Sequence, residues 1–150
     1  MNYFFFWQPS PEEFIQKAQE RVRTAAYNSL LRGGYKVQGR ARYFVPVNTG
    51  YLRASIAVAG DIANLSVQVV SRLKYAAPVE FGSRPHTPPF EPIRRWGELK
   101  KIPAGAVWQK IRMQGTDPHP YLWPAFIENR DWIVDDLAKS IAKAVMKSGE

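Results

Sequence analysis

The sequence predicts an α+β fold: a small antiparallel β-sheet packed by an N-terminal and a long C-terminal α-helix, with a short helical insert. Three observations carry this. Leu65, Val67 and Val69 alternate with Ser66 and Gln68, the period of two that marks a half-buried strand. Ile56 and Val58 alternate just upstream, and Gly60, Asp61 and Asn64 lie between the two runs, so a hairpin follows. Both ends of the chain carry apolar residues at helical spacing: Phe14, Ala18, Val22, Ala25 and Leu30 at one end, and Phe126, Ile133, Leu137, Ile141 and Val145 at the other.

The elements follow in order. Ser10-Pro11-Glu12-Glu13 starts a helix, since Ser10 caps, Pro11 suits the first helical position and Glu13 completes a capping box. Gly33-Gly34 is expected to end it, giving a helix over 11–32. Residues 35–44 interleave Lys36, Arg40 and Arg42 with Tyr35, Tyr43 and Phe44. That mixture suits single-stranded nucleic acid through stacking and charge, but it equally describes a surface loop or a ribbon packing on the next subunit, the favoured reading. Asn48-Thr49-Gly50 is turn chemistry. Strands are expected at 55–59 and 65–71, joined by a loop of about four residues.

Residues 75–81 fit a helical turn in which Glu80 accepts hydrogen bonds from backbone or Arg at a subunit contact. Residues 84–90 form a proline-rich connector. Two short helices are expected at 92–101 and 106–113, then an edge strand at 116–123. The last helix runs over 124–147, with Asp135 and Lys139 at favourable spacing. The two end helices are expected on one face of the sheet.

At 150 residues the chain reads as a single domain, with an N-terminal arm over 1–9 and a helical insert over 84–114. It has no cysteine, hence no disulfide framework, thiolate metal site or thiol nucleophile. The two histidines, His86 and His119, stand in proline-flanked loops without helical spacing and make a poor metal site. No phosphate loop, nucleophile elbow or zinc-protease helix is present, so no enzyme activity, cofactor or metal is expected. Phe4, Phe5, Phe6 and Trp7 follow Tyr3 in a run too short for a signal peptide or a membrane span. Such an arm packs either on its own core or on a neighbour. The net charge is +8, and the window 21–60 holds seven basic residues and no acid. Within it Arg32, Lys36, Arg40 and Arg42 are candidate contacts for DNA or an acidic partner, against the alternative of a solvated face.

Three stretches carry a family resemblance. Pro46-Val47-Asn48-Thr49-Gly50-Tyr51-Leu52-Arg53-Ala54-Ser55-Ile56 resembles the "APVDTGxLRxSI" signature of small phage neck and tail-completion proteins, with Asn48 in place of the usual Asp. Tyr75-Ala76-Ala77-Pro78-Val79-Glu80-Phe81-Gly82-Ser83 is similar to that family's "YAxYVEFGT". Gly115-Thr116-Asp117-Pro118-His119-Pro120-Tyr121-Leu122-Trp123-Pro124-Ala125-Phe126 resembles its "GTxPxPFLxPAL" run. The pieces occur in the family's order and cover about half the chain.

The resemblance implies a virion structural protein, assembled in the host cytoplasm, that forms a ring at the neck of a long-tailed phage. It would complete the tail end, join tail to head connector, or both. The implied partners are further copies of itself, as a hexamer in preference to a dodecamer, the head connector or adaptor, and tail-tube or tail-terminator proteins. DNA would pass through the lumen, and no membrane is involved. Five Trp, eight Phe and seven Tyr suit such a role, because aromatics anchor interfaces. Phe4, Phe5, Phe6, Trp7, Tyr35, Tyr43, Phe44 and Glu80 are the candidate interface residues. The alternative function is a sequence-nonspecific nucleic-acid-binding module, which the charge alone would explain.

Overall fold

Helix α1 (Pro11–Phe44) organises the molecule; a computed structural model describes residues 10–147. The capping box forms as expected: the Ser10 hydroxyl accepts from the Glu13 N–H at 3.2 Å, and the Glu13 carboxylate accepts from the Ser10 N–H at 3.4 Å. The helix does not stop at Gly33-Gly34. It continues for 34 residues in all, about 50 Å at 1.5 Å per residue. It ends where Val45 turns extended, as the residue before Pro46 is biased to do. Residues 35–44, expected as loop or ribbon, are therefore its last turns.

The two glycines are a packing device. A Cβ on Gly33 would lie 2.9 Å from Ile133 Cγ1, and one on Gly34 would lie 2.7 Å from Val67 Cγ1. Successive helical residues point about 100° apart. Gly33 thus admits one neighbour and Gly34 another. The buried stripe of α1, Ala26, Ser29, Gly33, Val37 and Ala41, is made of small residues. Phe14, on the expected stripe, is exposed.

After α1 comes a one-turn helix α2 (Tyr51–Ser55), preceded by Gly50 at φ 83°. The sequence reading began a strand at Ser55. Instead Ser55 closes the helix, donating to the Leu52 carbonyl at 2.7 Å. The hairpin starts later, with β1 (Ala57–Asp61) antiparallel to β2 (Ser66–Val70) and Val58 opposite Val69. The four-residue loop is held by the Asp61 carboxylate, which accepts from the backbone of Ala63 and Asn64 at 2.8 and 3.2 Å. Two strands alone are marginal in water, and these lie on α1. Val67 and Val69 are half-buried.

Helix α3 (Ala76–Phe81) follows, then α4 (Phe90–Lys100) and α5 (Ala104–Gln114), which pack on each other. Trp108 ties this pair to the connector by donating its indole N–H to the Pro88 carbonyl at 2.9 Å. The expected edge strand at 116–123 reduces to a single bridge between Ser83 and Thr116. Gly82 and Gly115 flank it at φ 74° and 80°. A Cβ on Gly115 would collide with the Ser83 carbonyl.

Helix α6 (Leu122–Met146) then runs along α1, its principal neighbour, rather than on the sheet. Its expected stripe is only partly covered: Ile133 packs against the core, whereas Phe126 and Val145 are exposed. The core sits at the C-terminal half of α1. It joins Val37, Ala41 and Val45 to Leu52, Ile56, Ala76, Tyr121 and Ala125.

The glycine reading gives a signed prediction. Gly39 meets nothing within 4 Å, so Gly39→Ala should raise stability by about 0.5–1 kcal/mol through helix propensity. Gly34→Ala has the same propensity gain but forces Val67 aside, and should lower stability by roughly 1–3 kcal/mol. Denaturant midpoints of the two variants should move in opposite directions; equal shifts would show that α1 does not need its glycines.

Candidate subunit interface

Glu80 is 4% exposed, the most buried acidic side chain among the described residues. Its Oε2 accepts from the backbone N–H groups of Tyr121 and Leu122 at 2.7 and 2.8 Å, and Oε1 from Trp123 at 2.8 Å. These are the first N–H groups of α6, which have no partner inside the helix. A carboxylate there also complements the helix dipole. The donors expected at a subunit contact are thus backbone groups of the same chain. Tyr121 is fully buried beside it, its hydroxyl unpartnered. Burial, and then the Glu80 charge, push the phenol above its usual range.

This clamp sets the start of α6 next to α3 and opens an apolar groove of about 420 Å³. Gly33, Gly34 and Val37 of α1, Val67 and Val69 of β2, and Leu122, Phe126 and Ile133 of α6 line it. Phe81 and Trp123 stand at its rim, 77% and 63% exposed. Glu80, already engaged by three backbone donors, is the only charged residue lining it. The sequence reading missed this site because it assigned Phe126 to the buried stripe and Val67 to a covered sheet face. The signal was Gly33-Gly34, which lets Ile133 and Val67, both lining the groove, approach α1 closely.

The four basic candidates all find partners within the chain. Arg32 bonds Asp136 at 2.7 Å and Ser140 at 2.9 Å, while Asp136 also accepts from the Ser29 hydroxyl at 2.6 Å. Arg40 makes a two-pronged pair with Glu128, both contacts at 2.7 Å, which raises its pKa. The same guanidinium lies over the rings of Tyr43 and Phe44, at 5.1 and 4.7 Å. Those rings meet edge to face at 5.7 Å. Lys36 sits 4.4 Å from the Trp132 ring centroid, and Arg42 donates to the Ile56 carbonyl at 2.8 Å. Of the interleaved residues, Lys36 and Arg40 thus face α6, and Arg42 faces the start of the hairpin. Tyr35 and Tyr43 remain exposed, and Phe44 packs on the core.

A basic cleft between α1 and α6 was not singled out in sequence. Lys17, Arg21, Arg32, Lys143 and Lys147 line this open cleft of about 680 Å³ between the N-terminal half of α1 and the end of α6, with Glu20 the only acid lining it among the described residues. Residues 130 apart in sequence meet here only because α1 and α6 lie side by side. Among the described residues no cluster of His, Asp or Glu could hold a metal ion, and no helix is long and apolar enough to cross a membrane. Phe4, Phe5, Phe6 and Trp7 lie outside the described residues.

Two outcomes test this geometry. Glu80→Gln leaves one carbonyl oxygen for three donors and should cost about 1.5–3 kcal/mol, the range of a charged hydrogen bond, while Tyr121→Phe should be neutral, since it removes an unpaired hydroxyl. Asp136 is held below its usual 3.8 by the Ser29 hydroxyl, then by Arg32. Its contribution is therefore complete above that value and lost as pH falls through the lowered one. The stability gap between wild type and Asp136→Asn should shrink in acid; a gap independent of pH would show that the charge contributes nothing.

Comparison with known proteins agrees with the resemblance read from residues 46–83. No curated protein and no solved structure matches the chain. Residues 12–82, which span most of α1, α2, the hairpin and α3, are similar to the family model "HK97-gp10_like", described as "Bacteriophage HK97-gp10, putative tail-component".

Proposed function

We propose that this protein is a ring-forming subunit at the neck of a long-tailed phage, where it completes the tail end, joins tail to head connector, or both. The observation that carries this reading is the apolar groove with its exposed Phe81 and Trp123 rims, in a chain whose N-terminal half matches a tail-component family. Aromatic residues left in water around a small core are what a subunit interface covers. A ring needs two different patches per subunit. The groove is one; the aromatic arm and the exposed Tyr35 and Tyr43 on α1 are candidates for the other. Six copies is the favoured number. Partners would be the head connector or adaptor and the tail-tube or terminator protein.

The basic cleft gives the ring a place to meet DNA or an acidic partner surface. Arg32 belongs to it, whereas Lys36, Arg40 and Arg42 are committed to α6 and the core. Sequence-blind phosphate contact needs only such a field, which suits a lumen through which DNA passes.

Light scattering at increasing concentration, with electron microscopy of the product, should show closed rings. Lys17→Gln/Lys143→Gln/Lys147→Gln should leave the fold intact, each exposed change costing within about 0.5 kcal/mol. It should also weaken docking to isolated connectors or tails and flatten the salt dependence of that docking. A protein monomeric at every concentration, and inert toward both connectors and tails, would remove the ring reading.

A further inference from the structure

The geometry points to an arm exchange: Phe4–Trp7 of one copy seats in the groove between the hairpin and α6 of a second copy. This rests on the ring reading and names the contact that would build it. The arm cannot reach its own groove. Along α1 the groove spans Leu30 to Val37, and Leu30 lies about 30 Å from Ser10 at 1.5 Å per residue. Phe4 is six residues before Ser10, so a fully extended chain carries it at most about 21 Å. Trp7 reaches about half as far. Phe4–Trp7 seated in a groove therefore belong to a different copy from the groove itself.

The arm fits it chemically. Residues 1–9 read Met-Asn-Tyr-Phe-Phe-Phe-Trp-Gln-Pro and contain no charged side chain. The groove offers no free charge, since Glu80 is engaged by three backbone N–H groups. Its lining is otherwise apolar, and Phe81 and Trp123 at its rim stand ready to stack on large rings. The apolar face within reach of the arm on its own chain, at Phe14, Ile15 and Val145, is bordered by Gln16, Gln19, Glu20 and Arg23. It matches an uncharged aromatic segment less well.

Two complementary variants test the exchange. The first, Phe4→Ser/Phe5→Ser/Phe6→Ser/Trp7→Ser, keeps the groove and loses the arm. The second, Phe81→Glu/Trp123→Glu, keeps the arm and blocks the groove; both residues are well exposed, so folding is preserved, and circular dichroism with the melting midpoint checks this. Each variant alone should remain monomeric at concentrations where wild type assembles. Mixed in equal amounts, they should give a one-to-one heterodimer by native mass spectrometry and nothing larger, because one arm and one groove remain unused. Assembly of the arm variant like wild type, or a mixture without heterodimer, overturns the exchange while leaving the ring reading intact. A lowered melting midpoint of the arm variant as a monomer also overturns it, by placing the arm on its own chain. A wild type that never assembles, alone or on connectors and tails, overturns both.

Discussion

The structure depends on how closely other elements approach the middle of α1. At Gly33 the helix meets Ile133 of α6, and at Gly34 it meets Val67 of β2, each within a distance that a single methyl group would block. Each glycine costs about 1 kcal/mol of helix propensity relative to alanine. That cost is offset by two packed contacts on adjacent faces of one helix. A two-stranded hairpin has no independent stability, and α6 has few other neighbours. Both are therefore positioned by the same two residues.

The second constraint is the buried Glu80 carboxylate. It gathers three N–H groups at the start of α6 and so couples α3 to the last helix across some forty residues of connector and insert. With α6 fixed at Glu80 and at Ile133, the space between those two contacts stays open. The groove is thus a consequence of the two contacts that hold the fold. A structural device and a candidate binding surface share the same residues.

Charge follows the same geometry. Within the one-signed stretch of α1, Arg32 and Arg40 are paired with Asp136 and Glu128 of α6, so part of its field is spent within the subunit. Further along the pair, Lys17, Arg21, Lys143 and Lys147 gather with no ion pair among the described residues. Side-by-side packing of two helices distant in sequence cancels part of one basic region and creates another.

The sequence by itself determined the capped start of α1, the hairpin, the α4–α5 pair and the last helix, because caps, period-two alternation and helical stripes are local signals. It also carried the family resemblance, through motifs at 46–56 and 75–83 that sit on a turn and two short helices. It misjudged what depended on contacts. Gly33-Gly34 reads locally as a stop and acts tertiarily as a close-packing site, so the helix continues through Phe44. Glu80 reads as an acceptor, but its donors begin at Tyr121, a distance no spacing rule spans. Arg32 and Arg40 read as free charges because their carboxylates lie about a hundred residues away. Only the tertiary structure decided these, since which face of a helix is covered is settled by the element packed against it and not by the helix itself.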